Sequence, residues 1–186
     1  MRKLVVFNQI SVDGYFTDEK GDMSWAHKQD PEWNAFVEEN AQGGGQLLFG
    51  RITYAMMASY WPTPQAAKAN PVVAERMNQM PKVVFSRTLA KAAWNNTRIV
   101  KGNIAEEVLR MKQESGPDMA IFGSGTIIPP LTEAKLIDEY QMVVNPIVLG
   151  KGRTMFEGVA GKLGLQFQNS RPFKNGNVVV TYKPAG

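Results

Sequence analysis

The chain has no cysteine among its 186 residues and a single histidine, His27. Disulfides and thiolate metal sites are thereby excluded. One histidine without clustered carboxylates leaves no metal site to expect. A reducing compartment is compatible with this composition. Long apolar runs are missing too. After the basic start, the run Leu4-Val5-Val6-Phe7 stops at Asn8, short of the roughly 7–15 residues of a secretory signal core. No stretch approaches the roughly 20 apolar residues that span a bilayer. The expected location is the cytoplasm, with no membrane partner. Basic runs are equally absent. The 21 lysines and arginines exceed the 17 acids, for a net charge of +4 and a pI near 9.3, but they are scattered and not interleaved with aromatics. Nucleic acid is therefore not an expected partner, and an anionic cofactor accounts for the charge as well.

The length fits a single domain over residues 1–186, with a core large enough to need no staples. Leu4 to Ile10 reads as a buried strand, ended by Ser11-Val12-Asp13-Gly14 and followed by a polar loop to about Pro31. Trp33, Phe36 and Val37 at helical spacing predict a helix from Pro31, stopped by Gly43-Gly44-Gly45. Leu47 to Phe49 is a strand, and Gly50-Arg51-Ile52-Thr53-Tyr54 opens a helix to about Ser59. Residues 60–81 are expected as a long loop with one short helix near Val72 to Asn78. Lys82 to Phe85 and Thr97 to Val100 are strands; Ile104, Val108 and Met111 mark a helix capped by Asn103. Met119 to Phe122 is a further core strand, followed by Gly123-Ser124-Gly125-Thr126 and a helix with Pro129 and Pro130 in its first turn or at a kink. The end of the chain is strand-rich: Glu139 to Val148, Leu163 to Asn169 and Val178 to Tyr182, with Asn175-Gly176 as a hairpin turn. Strands alternating with helices and then a β-rich end predict an α/β three-layer sandwich. Its sheet is mainly parallel, with antiparallel strands added late.

Two strand-to-helix junctions are glycine-rich, Phe49-Gly50-Arg51 and Phe122-Gly123-Ser124-Gly125-Thr126. Such a junction offers unpaired backbone N–H groups and the positive end of a helix dipole to a phosphate. The second turn lacks the third glycine of the dinucleotide fingerprint, since Ile128 stands there. Each turn taken singly is equally a tight βα connection. Ser86-Arg87, after a strand, adds hydroxyl and guanidinium donors suited to a 2′-phosphate.

Read in order, these motifs carry a resemblance. Ser11-Val12-Asp13-Gly14-Tyr15, Gly50-Arg51-Ile52-Thr53-Tyr54, Ser86-Arg87-Thr88-Leu89, Phe122-Gly123-Ser124-Gly125, Ile137-Asp138-Glu139-Tyr140 and Pro146-Ile147-Val148-Leu149-Gly150-Lys151-Gly152 occur in that sequence. The chain resembles the dihydrofolate-reductase-like family that includes the reductase domain of riboflavin biosynthesis, from about residue 3 to residue 183. The resemblance implies a sheet of about eight strands, NADPH across its carboxyl edge, a small-molecule substrate and a homodimer. It assigns Gly50, Arg51 and Thr53 to phosphates and Ser86 and Arg87 to the adenosine 2′-phosphate. Gly123, Ser124, Gly125 and Thr126 fall to the diphosphate, and the loop from Asp13 to about Asp30 to closure over the nicotinamide.

Two positions depart from the family pattern. Dihydrofolate reductases place a carboxylate near the start of the first helix, and the corresponding stretch here is Glu32-Trp33-Asn34, closest to Asn34. Riboflavin-type reductases carry a lysine four residues before the serine of their Ser-x-Asp-Gly motif, where this chain has Phe7. The expected activity is reduction by NADPH of a small conjugated heterocycle or carbonyl compound, pterin-like or pyrimidine-like, as in 5-amino-6-(5-phosphoribosylamino)uracil reductases. The alternative is a non-catalytic NADPH- or ligand-binding protein. Asp13 and Glu32 are the candidate proton donors, although an Asp before Gly at a strand end is more often a turn former. Trp25 and Asn34 are the candidate substrate contacts. Trp33 reads as core, His27 as a solvated side chain and the ten methionines as core filler.

Overall fold

The computed structural model describes residues 1–28, 30–43 and 45–186. Its centre is an eight-stranded sheet built from β1 (Leu4–Ser11), β3 (Gln46–Gly50), β4 (Lys82–Phe85), β5 (Thr97–Val100), β6 (Met119–Phe122), β7 (Glu139–Asn145), β9 (Leu165–Pro172) and β10 (Val178–Pro184). A separate small ribbon pairs β2 (Tyr15–Thr17) with β8 (Arg153–Thr154). The strand order in the large sheet is β5-β4-β3-β6-β1-β7-β10-β9. The first six run parallel, and β10 and then β9 add antiparallel. The mixed sheet with an antiparallel end is the architecture the sequence pattern predicts.

Helices cover both faces because consecutive strand residues point opposite ways. Leu48 and Val83 join a core with Val108 and Met111 of α5 (Ile104–Gln113) and with Ile128 and Leu131 of α6 (Ile128–Glu133). Their neighbours Leu47, Phe49 and Val84 turn the other way. They meet Tyr54 of α2 (Arg51–Tyr60) and Val73 and Met77 of α4 (Pro71–Gln79). Farther along that second face, Trp33 and Phe36 of α1 (Pro31–Gln42) pack on Val143, Phe173 and Val179. Trp33 is core, as its spacing predicts.

The helix boundaries follow local chemistry. The Asp30 carboxylate accepts from the Trp33 N–H and Pro31 takes the first helical position, so α1 starts where expected. It ends at Gln42 with Gly43 as its cap; Gly44, the middle of the proposed glycine stop, lies outside the described residues. Asn103 accepts from the N–H groups of Ala105 and Glu106. Asn103→Ala should therefore cost about 1 kcal/mol, read from urea unfolding. Pro129 and Pro130 do sit in the first turn of α6, where their missing N–H groups cost nothing. Asn175-Gly176 turns the chain between β9 and β10, with Gly176 at φ +90°.

Four expectations are corrected. Residues 60–81 hold two helices, α3 (Pro64–Ala69) and α4, in place of a loop with one short helix. The signal was present: Thr63-Pro64 and Asn70-Pro71 each join an N-cap to a first-turn proline, and both caps form. The loop after β1 is not wholly irregular, since β2 pairs with β8. Two strands of three and two residues, far apart in sequence, are too short to show a period. The strand from Glu139 ends at Asn145, not Val148, and the strand expected over Leu163 to Asn169 runs from Leu165 to Pro172.

Candidate functional site

Gly50, Phe85, Val100, Phe122, Ser11 and Asn145 are the last residues of the six parallel strands, so the motif turns all emerge at one sheet edge. In open α/β sheets this carboxyl edge is where ligands bind. The two glycine-rich turns lie side by side there and are bolted together. The Gly50 N–H donates to Ser124 Oγ at 2.9 Å, and the Ser124 N–H donates to Thr53 Oγ1 at 3.0 Å. The Ser124 hydroxyl donates in turn to the Phe122 carbonyl at 2.8 Å. The Thr53 oxygen and the Ser124 hydroxyl are thus used in joining the turns. Both residues are buried, while Arg51 and Thr126 are exposed.

The glycines are needed for contact as much as for conformation. A Cβ on Gly50 would lie 2.8 Å from Thr126 Oγ1, and one on Gly123 would lie 2.9 Å from Thr53 Oγ1. Gly123 and Ser124 adopt φ of +57° and +65°, a left-handed pair that bends the chain away from β6. The N–H groups of Gly125 and Thr126 that follow meet no acceptor among the described residues. They present donors of the kind an anionic oxygen takes.

Beside these turns, a cavity of about 620 Å³ opens between the ends of β4 and β5 and the start of α5. Ser86, Arg87, Lys101 and Asn103 line it. Ser86 Oγ accepts from the N–H groups of Thr88 and Leu89, at 3.3 and 3.0 Å, and shapes the turn that exposes Arg87. Lys101 is a second cation at the same mouth, which motif reading missed. A lysine directly after a strand is the signal that would have found it.

The candidate acids are all engaged elsewhere. The Asp13 carboxyl is held down to about 2, chiefly by the Ser11 hydroxyl and then by the N–H groups of Leu149 and Gly150. It therefore carries no proton to give at neutral pH and ties the end of β1 to the loop before β8. Glu32 points to the outer flank of α1, 3.7 Å from Arg171, whose guanidinium lies over Phe36 and Phe173. Asn34 sits two positions on and shares a helix stripe with Val37 and Ala41, which face the α2 and α4 side. The helix therefore separates Glu32 from Asn34. Trp25 belongs to a short 3-10 turn, Ser24–Ala26, and its indole donates to the Asp22 carbonyl at 3.2 Å. His27 is exposed.

The ribbon of β2 and β8 ties the loop after β1 to the site. Phe16 is buried with its ring against Gly125, where an added Cβ would sit 2.7 Å from Cζ. Gly152 crosses the same ribbon so closely that a Cβ there would lie 2.0 Å from the Thr17 carbonyl oxygen. Among the described residues no group of histidines and acids fits a metal ion, and no helix is long and apolar enough to cross a membrane.

An eight-stranded, mostly parallel sheet with antiparallel strands at its C-terminal end is the dihydrofolate-reductase-like fold. Dihydrofolate reductase of Enterococcus faecalis, solved with NADP(H), shares it with a TM-score of 0.66 at 17% identity, covering 99% of this chain and 97% of that one. The chain belongs to the RibD C-terminal domain family, which matches residues 2–179. A Shewanella sp. PV-4 protein described as belonging to riboflavin biosynthesis superposes with a TM-score of 0.75 at 23% identity, over 99% of both chains. The uncharacterised protein YyaP of Bacillus subtilis (strain 168) is 26% identical over 183 residues, which are 97% of this chain and 94% of YyaP.

Proposed function

We propose that the protein is an NADPH-dependent reductase of a small, flat heterocycle or carbonyl compound. One observation carries the reading: unpaired backbone donors at the glycine turns stand next to a cavity with two cations at its mouth. The adenosine would occupy that cavity, with its 2′-phosphate between Arg87, Lys101 and the Ser86 hydroxyl. The diphosphate would lie on the Gly125 and Thr126 N–H groups and the start of α2 at Gly50 and Arg51, held in register by Thr53 and Ser124. The riboflavin-biosynthesis description of the Shewanella protein and the NADP(H) in the structure of the enterococcal enzyme support the choice of cofactor.

Bound NADPH would supply the hydride. The residues of this chain would orient the two rings and exclude water, with Phe16 on β2 sealing the glycine turn. Asp13 is ionised, Asp30 caps α1 and Glu32 faces Arg171, so an ordered water would deliver the proton more readily than these carboxylates. Asn34 and Trp25 would face the substrate, and Asn34 suits a neutral ring better than a cationic one. The same engagement of the acids favours a second reading, a protein that binds NADPH without turnover.

Fluorescence titration with NADPH and NADH tests the cofactor. NADPH should bind more tightly, and Arg87→Ala should weaken it about tenfold while leaving NADH unchanged. No binding at millimolar NADPH would sink both readings. Turnover of any pterin, pyrimidine, quinone or nitro-aromatic would decide for the enzyme over the binding protein. A homodimer is the assembly we propose, and light scattering of the purified protein measures it.

A further inference from the structure

Gln9 follows Phe7 by two residues on β1, so its side chain leaves the sheet on the same face, toward α1. Phe7 packs with the α1 cluster and meets Phe122 edge to face, with ring centroids 5.5 Å apart. These residues floor the carboxyl edge of β1 and β6 beside the Gly123 to Thr126 turn, where a ring following the diphosphate of the reductase reading would lie. Gln9 is only partly buried there.

Its orientation is dictated by a neighbour. Asn145 ends β7 beside Ser11 and has no exposed surface. Its Nδ2 lies 3.1 Å from Gln9 Oε1, 3.3 Å from the Ile10 carbonyl and 3.2 Å from the Val143 carbonyl. Backbone carbonyls only accept, so the Asn145 atom facing them must be the amide nitrogen. The Gln9 atom that meets this nitrogen must then be the oxygen. The Gln9 carboxamide is therefore fixed with its oxygen turned down to Asn145 and its NH2 group turned away. That NH2 group meets no acceptor among the described residues.

We infer that Gln9 Nε2 is the donor that selects a ring carbonyl on the substrate, and that Asn145 is the residue that positions it. The inference rests on the reductase reading for the location of the ring and adds the hydrogen-bonding character the ring must have. A neutral donor in a partly desolvated floor rewards an acceptor and penalises an amino group, which would leave two donors facing each other.

The test compares quinazolin-4-one with 4-aminoquinazoline, which differ in the exocyclic group at C4 and in the proton on the adjacent ring nitrogen, by calorimetric titration with and without saturating NADPH. The wild-type protein should bind the carbonyl compound about tenfold more tightly. Gln9→Leu should abolish the preference. Gln9→Glu keeps an oxygen toward Asn145 but turns an acceptor outward, and should reverse the preference in favour of the amine. A merely structural role for Gln9 would not invert specificity, and thermal melts of each variant confirm folding. Equal wild-type affinities, binding of neither ring, or a preference unchanged in both variants would overturn the inference. Failure of NADPH to bind would instead overturn the reductase reading, since ring preference is also read on the cofactor-free protein.

Discussion

Replacing Gly152 with alanine should destabilise the protein by about 3 kcal/mol, roughly 10 °C in melting temperature. The added Cβ would lie 2.0 Å from the Thr17 carbonyl oxygen, 3.1 Å from its carbonyl carbon and 3.2 Å from Asp18 Cα. All three are backbone atoms, so no side-chain rotation relieves the overlap. Either β2 separates from β8 or both shift. Separation would release residues 13–28, lift Phe16 from Gly125 and expose the segment to protease. Limited proteolysis should cut the variant between β2 and α1 well before the wild type. Gly14→Ala is the control: Gly14 has φ +88° but no atom within 4 Å of an added Cβ, so only the backbone conformation is strained, at about 1 kcal/mol. Equal losses for the two variants would show that crowding at the ribbon is unimportant.

The second large effect is a rise in stability with alkali. Lys82 begins β4 and is 1% exposed. Its ammonium donates to the carbonyls of Asn78, Met80 and Asn95 at 3.0, 2.7 and 3.2 Å, and sits 4.4 Å from the centre of the Trp94 ring. No carboxylate pairs with it among the described residues, and burial pushes the amine down to about 8. In the unfolded chain a lysine titrates near 10.4. Between those values the unfolded chain holds more protons than the folded one, so stability climbs as pH rises through the window. Below about pH 8 both states are charged and this group contributes no slope. From pH 7.5 to 9.5 the gain should be about 2 kcal/mol, measured by urea unfolding followed through tryptophan fluorescence. Lys82→Met should flatten that rise; an identical slope in the variant would show that the buried amine is not its source.

The cage around Lys82 also reaches the cofactor half of the site. The Trp94 N–H donates to the Tyr54 hydroxyl and its indole to Asn78 Oδ1, at 3.0 and 2.7 Å. These bonds fix the crossover from β4 to β5 against α2 and α4. That crossover carries Ser86 and Arg87, so the segment offered to the 2′-phosphate hangs from a buried lysine and a tryptophan. Neither residue belongs to a phosphate motif.

The strands, most helices and the mixed order of the sheet were legible in the chain because they depend on short-range patterns: apolar runs, helical spacing, caps and first-turn prolines. The motif turns were legible for the same reason, since each is a few consecutive residues whose glycines answer a local demand. Arrangement across the sheet was not. No pattern in residues 15–17 or 153–154 announces their pairing, and nothing in Ser124 or Thr53 reveals that each hydroxyl would hold the other's turn. Lys101 joined Arg87, Glu32 turned to Arg171, and Asn145 set the direction of the Gln9 amide only once distant strands lay side by side.

By itself, then, the sequence determined a cysteine-free α/β chain with paired glycine turns of one family, and offered only Trp25 and Asn34 as candidate substrate contacts. The tertiary structure decided which polar side chains stay available. A hydroxyl, carboxylate or amide is committed once a partner comes within about 3 Å. Partners from remote elements are placed by the packing of the sheet, which no local stretch of residues encodes. That packing is why the glycine turns keep open donors at Gly125 and Thr126 while Asp30 caps the first helix and Glu32 faces Arg171.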